Sequence, residues 1–180
     1  NGLTDFCHPC QVLADLMTIR EYKGRLDGLK MCFIGDGNNM MHSLIVGGLK
    51  TGMQVSVACP QGYDPDAGIL EFAKAYGSAF SLHRAPLDAA QDADVVITDV
   101  WASMGQEEEA KKRAQAFKGY QINDELMAAA KPDAMVQHCL PAHREEEITE
   151  KVFEAHAGEI FEEAETRLHA QKAVLVKTMA

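Results

Sequence analysis

Residues 30–59, KMCFIGDGNNMMHSLIVGGLKTGMQVSVAC, decide the fold. They open with the apolar, β-rich run MCFIG (31–35), turn at Gly35-Asp36-Gly37-Asn38-Asn39, and carry a helical pattern over Met40–Leu49. They close on a second β-rich run, VSVAC (55–59). Strand, helix and strand joined by short turns predict a βαβ unit, and therefore two neighbouring parallel strands.

The alternation continues in the C-terminal direction. AFSLH (79–83), DVVITDV (94–100), AMVQHC (134–139) and EIFEE (159–163) read as further strands. Between them lie helical patterns at Asp66–Ala75, Ala85–Asp92, Gly105–Ala116 and Glu145–Ala155. Strands and helices interleaved in this way predict an α/β fold, doubly wound, a Rossmann-like three-layer αβα arrangement around a mainly parallel sheet. The two ends differ from the middle. Val12, Leu13, Leu16, Met17 and Ile19 have helical spacing with no strand before them, which predicts a helix over about 8–22; a second terminal helix is expected over 164–179, with Leu168, Val174 and Leu175 available for packing. No repeat, low-complexity run or Pro/Gly/Ser-rich linker divides residues 1–180, so they are expected to form a single domain.

Composition narrows the function. The 180 residues carry 17 Lys and Arg against 27 Asp and Glu, a formal charge of -10. That excess argues against a nucleic-acid or anionic-membrane surface and favours small polar ligands. Five cysteines at irregular spacing read as reduced thiols, which points to the cytoplasm, or to an organelle matrix if the source is eukaryotic. No apolar run approaches the roughly 20 residues needed to span a bilayer, so no membrane segment is expected.

Three segments place polar groups where strands should stop, CHPCQ (7–11), DVWASMGQE (99–107) and HCLPAH (138–143), the last two directly after an apolar run; GDGNN (35–39) also follows a strand and opens a helix. In open α/β sheets ligands bind beyond the carboxyl ends of the strands. A dinucleotide fingerprint would need glycine where Met40 stands, and the second strand ends in Cys59-Pro60 without an acidic residue for a ribose; no nicotinamide cofactor is expected. Asn39, at a helix start, could donate its amide to a ligand carboxylate. Asp99 could pair with an amine and Ser103 adds a hydroxyl in the same loop, although either could instead cap a helix. Cys139 differs from Cys32 and Cys59, which read as small buried hydrophobes, because Pro141 stops the strand and leaves the thiol at its rim.

The remaining motif, Cys7-His8-Pro9-Cys10, has CxxC spacing but no second ligand pair nearby and no preceding strand, so neither a metal nor a redox site is expected. It reads as a helix start with Pro9 in the first turn, from which His8 and Gln11 could reach a carbonyl and an amide, or as a plain helix start with a surface histidine. The acidic runs 107–109, 145–147 and 162–163 read as solvated faces or helix N-termini.

Taken together and in this order, NGLTD, HPCQVLADLMTIREYKG, GDGNNMMHS, DVWASMGQEEE, HCLPAH and EAETRLHAQKA resemble the second half of the ornithine carbamoyltransferases across nearly the whole chain. The resemblance implies a transferase of arginine metabolism that joins carbamoyl phosphate to L-ornithine, giving citrulline and phosphate, with no organic cofactor and no metal. It implies that Asn39, Asp99, Ser103 and Met104 hold ornithine; that His8, Gln11, Cys139, Leu140 and Arg167 hold the carbamoyl group; and that Asp99 and Cys139 lie at the reacting amine. A carboxylate and a thiolate there could relay the amine's proton, and His8 is the candidate donor to the carbamoyl oxygen. Two departures stand out: Cys7 precedes the histidine where the family usually has an aromatic, and Glu145 replaces the glycine of HRGEE, a residue that often marks a special backbone angle. The family's phosphate-binding Ser-x-Arg-Thr-Arg run is absent. The chain is therefore expected to be an ornithine-binding domain whose terminal helices join an N-terminal carbamoyl phosphate domain, inactive alone and by itself monomeric, although the family forms homotrimers. A stand-alone amino-acid-binding module and a carbamoyltransferase for a related amine remain alternatives at this point.

Overall fold

The computed structural model describes residues 1–102 and 109–179. Five strands, β1 (Lys30–Ile34), β2 (Gln54–Ala58), β3 (Phe80–His83), β4 (Val95–Thr98) and β5 (Met135–His138), form one parallel sheet in the order β3-β2-β1-β4-β5. The helices are α1 (Pro9–Lys23), α2 (Asn39–Lys50), α3 (Ala67–Lys74), α4 (Pro86–Ala90), α5 (Ala110–Ala116), α6 (Asp124–Ala129), α7 (Glu150–Ala155) and α8 (Ala157–Met179), with a short 3-10 turn at Gly77–Ala79.

Because side chains alternate across a strand, each strand feeds two cores. Met31 and Phe33 of β1, Val55 and Val57 of β2, and Val95 and Ile97 of β4 pack with α1, α2 and α3. Cys32, Ile34, Ala58, Val96 and Val136 point the other way, against residues of α4, α6, α7 and the start of α8. This is the three-layer arrangement expected from the pattern. The chain runs outward from central β1 through β2 to β3, returns, and builds β4 and β5 on the other side. The turn of direction lies between β1 and β4, whose carboxyl ends meet where Thr98 Oγ1 donates to the Ile34 carbonyl at 2.7 Å.

Three expectations need correction. EIFEE is not a sixth strand but part of α8, which begins at Ala157 instead of 164. Its buried residues, Ile160, Glu163, Thr166 and Ala170, recur at helical and not alternating spacing. The helix expected from Glu145 starts at Glu150: Glu145 has φ 67°, which a helix does not accept, and Thr149 caps α7 by accepting from the Val152 N–H. Helix α6, which Asn123 caps by accepting from the Leu126 N–H, was not foreseen. The start of the helix expected from Gly105 lies outside the described residues. Among the described residues, no helix is long and apolar enough to cross a membrane.

Candidate active site

The topological turn of direction opens into a cleft of about 640 Å³. Its lining includes His8, Asn38, Asn39, Asp99, Cys139, Leu140 and Arg167. Five separate segments thus converge on one concavity, which is what the carboxyl ends of such a sheet allow.

Asp99 stands at its centre, 8 % exposed. Asn38 Nδ2 donates to Asp99 Oδ2 at 2.9 Å, and Oδ1 accepts from the Val100 N–H at 2.8 Å and from the Cys139 thiol at 3.2 Å. Among the described residues all of these donors are neutral. Burial, reinforced by the Asp99 charge beside it, pushes the Cys139 thiol well above the usual cysteine range. This corrects the expectation of a thiolate: in the free protein Cys139 is a thiol that donates to Asp99.

Asn38 is the residue sequence reasoning missed. It caps α2, its Oδ1 accepting from the Met40 and Met41 N–H groups at 3.0 and 3.2 Å, and the same amide aims its Nδ2 at Asp99. The signal was present, since asparagine directly before a helical run is a strong N-cap. Asn39 also lines the cleft, where its Nδ2 donates to the Thr4 carbonyl at 2.8 Å. Gly37 makes this turn possible: a Cβ there would lie 2.3–2.5 Å from the backbone of residues 63–65.

Across the cleft, β5 ends in a loop shaped by His138. Its Nδ1 accepts from the Leu140 N–H at 2.9 Å, so the ring proton sits on Nε2, 3.0 Å from Glu147 Oε1. The His143 N–H reaches the same carboxylate oxygen at 2.6 Å. Leu140, at φ 55°, lines the cleft.

Helix α1 brings His8, whose Nδ1 lies 2.9 Å from the Gly2 carbonyl. That carbonyl can only accept, so Nδ1 carries the hydrogen. Burial lowers the ring's pKa and leaves it neutral, with Nε2 an acceptor. Gln11 is 1 % exposed and does not line the cleft; its Oε1 accepts from Arg167, which does. Ser103 and Met104 lie outside the described residues.

Arg113, the buried arginine among the described residues, is already neutralised. It is 5 % exposed, pairs with Asp36, donates to the Trp101 carbonyl at 2.5 Å, and stacks over Tyr63 and Phe117 at 5.0 and 5.3 Å. Burial holds the Asp36 carboxyl above its usual range, and Arg113 pulls it back. Ligand atoms of His143, Glu146 and Glu147 lie within 4.8 Å of one another, but Glu147 Oε1 is already engaged by His138 and His143. Cys7, Cys10, Cys32, Cys59 and Cys139 are all free thiols.

Residues 27–178 match the family model described as "Aspartate/ornithine carbamoyltransferase, Asp/Orn binding domain". The chain is 53 % identical over 180 residues to the ornithine carbamoyltransferase of Geobacter metallireducens, covering 99 % of this chain and 59 % of that protein. Among solved structures, the ornithine carbamoyltransferase from Pyrococcus furiosus superposes with a TM-score of 0.89 at 51 % identity, over 97 % of this chain and 57 % of that one. The anabolic enzyme of Campylobacter jejuni superposes with a TM-score of 0.93 at 42 % identity, over 98 % and 60 %. The chain thus spans about three-fifths of the length of the relatives it matches.

Proposed function

Since the chain belongs to the aspartate/ornithine carbamoyltransferase family, we propose that it is the ornithine-binding half of an ornithine carbamoyltransferase, which transfers the carbamoyl group of carbamoyl phosphate to L-ornithine. The observation that carries this reading is Asp99: a buried carboxylate at the topological turn of the sheet, held by an amide, a backbone N–H and a thiol, and open to a cleft. An ammonium group of ornithine supplies the missing positive charge, a strong pairing in so sheltered a place.

In this reading Asp99, Asn39, Ser103 and Met104 hold ornithine. His8, Leu140 and Arg167 face the carbamoyl group, and Gln11 acts from behind by holding Arg167. The side-chain amine has a lysine-like pKa and must lose a proton before it attacks the carbamoyl carbon. As its lone pair forms the new C–N bond, the C–O bond to phosphate breaks and phosphate leaves with that electron pair. Asp99 and the thiol of Cys139 lie at the amine, with Asp99 the better proton acceptor because Cys139 is itself protonated.

The phosphate needs a cluster of cations, and among the described residues that line the cleft Arg167 is the one Lys or Arg. Among the described residues Arg84 is taken by Asp64, Arg113 by Asp36 and Arg144 by Glu150 and Glu154. The partner is therefore the family's N-terminal carbamoyl phosphate domain, through which the full-length enzyme forms trimers. Five free thiols support a cytoplasmic location.

Citrulline formation tests the proposal, measured with this chain alone and then mixed with a separately produced carbamoyl phosphate domain from a relative. Activity in the mixture only is the expected result. Turnover by the chain alone would overturn the split of the phosphate site. Ornithine binding without turnover in any mixture would favour an amino-acid-binding module.

A further inference from the structure

Behind the cleft, α1 and α8 bury two carboxyl groups against one amide. Asp15 is 0 % and Glu163 1 % exposed. Nε2 of Gln11 donates to both, at 2.8 Å to Asp15 Oδ1 and 2.7 Å to Glu163 Oε1. Glu163 Oε2 accepts the His138 N–H at 3.1 Å, whereas Asp15 Oδ2 is buried without a donor among the described residues. The groups facing the pair are Gln11 from α1, Arg167 from α8, and the His138 N–H and Cys139 thiol from the end of β5, with Asp99 beyond that thiol.

Two full negative charges sharing one amide in so dry a place repel strongly, and such pairs keep a proton. A hydrogen lying between the carboxyl groups would also give the orphan Asp15 Oδ2 its partner. The far end of the bridging amide, Gln11 Oε1, accepts from Arg167 and so ties the pair to the cleft.

We propose that Asp15 and Glu163 are a carboxyl pair holding one proton, and that the pair positions Arg167: it fixes the Gln11 amide with its oxygen toward the guanidinium and sets a single negative charge behind it. This deepens the reading of the cleft as a carbamoyl phosphate and ornithine site and rests on it. Burial pushes the Asp15 carboxyl up to about 7, and burial together with Asp15 pushes Glu163 well above the usual glutamate range. The unfolded chain releases both protons near the ordinary values of 3.8 and 4.5. The folded pair therefore binds one more proton than the unfolded chain above that range, and its contribution to stability falls as pH rises.

Asp15→Asn places an N–H where the shared hydrogen lies and keeps the charge at one. In denaturant unfolding of this chain from about pH 4.5 to 6.5, the wild-type unfolding constant should rise up to about tenfold more per pH unit than that of Asp15→Asn. Parallel profiles would overturn the shared proton. In mixtures with the carbamoyl phosphate domain, Asp15→Ala and the double change Asp15→Asn/Glu163→Gln should raise the KM for carbamoyl phosphate roughly 10- to 100-fold with little effect on that for ornithine. Asp15→Asn alone should restore most of that loss. Additive effects of the two amide substitutions, or both KM values moving together, would overturn the positioning role. If no mixture makes citrulline, the reading of the cleft falls and the positioning role with it, while the pH comparison still decides the proton.

Discussion

Strand β4 has an aspartate beyond each end, and the two are about equally buried, Asp94 at 6 % and Asp99 at 8 % exposure. Asp94 is spent on the fold. Its Oδ2 accepts the Lys30 N–H at 2.8 Å and its Oδ1 accepts from Lys131 Nζ at 2.7 Å, tying the starts of β1 and β5 to that of β4. Asp99 meets only neutral donors among the described residues: Asn38, the Val100 N–H and the Cys139 thiol. A buried carboxylate matched by the chain's own cation closes a structure. One held in place by neutral groups keeps its charge available to a ligand.

The largest difference between the two ends should appear in stability. Asp94→Ala breaks a buried charge pair and leaves a buried N–H and a lysine without an acceptor, and should cost about 2–3 kcal/mol; Asp99→Ala strands three neutral donors but also removes a buried charge that no cation balances, and should cost about 1 kcal/mol or less. Urea unfolding of the two variants checks this, and equal losses would break the comparison. A second test sharpens the Asp99 end. With the charge beside it removed in Asp99→Asn, the Cys139 thiol should move down toward its ordinary range and be alkylated roughly tenfold faster at mildly alkaline pH, with Cys7 and Cys10 as internal references. Mapping iodoacetamide adducts over time reads this directly; unchanged labelling would mean that burial alone sets the thiol.

The smallest effect lies on the loop after β5. Glu145 occupies a left-handed conformation, and its Oε1 accepts from the Glu150 N–H at 2.8 Å at the start of α7. Glycine would relieve about 1 kcal/mol of backbone strain and forfeit a cap of similar size, so Glu145→Gly should shift stability by less than about 0.5 kcal/mol. Glu145→Ala keeps the strain and loses the cap, and should destabilise by about 1 kcal/mol in the same unfolding assay.

How much could be read in advance follows from which interactions are local. The five strands were legible because each is an apolar run bounded by turn residues, and Asp99 and Cys139 because each follows such a run. The departure at Glu145 was legible as a backbone angle, since the glycine it replaces marks one. EIFEE misled because two apolar residues within five fit a strand as well as a helix; only the longer register Ile160, Glu163, Thr166, Ala170 separates them. The Asp15–Glu163 pair was not legible, because its members are 148 positions apart: Asp15 reads as an ordinary polar residue of the first helix, and Glu163 as the end of the EIFEE run and part of a solvated acidic stretch, which its burial corrects. The lowered pKa of His8 was hidden for the same reason, as it depends on burial in the folded chain, which outweighs the opposing pull of the Gly2 carbonyl.

The claim that Asp99 reserves its charge for an incoming ammonium group is tested most directly by calorimetric titration of ornithine. The titrations would use the chain assembled with a carbamoyl phosphate domain and saturated with carbamoyl phosphate or an unreactive analogue, comparing wild type, Asp99→Asn and Asp94→Asn. Removal of the Asp99 charge should weaken ornithine binding roughly 100-fold, while Asp94→Asn leaves it within about threefold. Ornithine affinity unchanged in Asp99→Asn would contradict that claim and return Asp99 to the same structural role as Asp94.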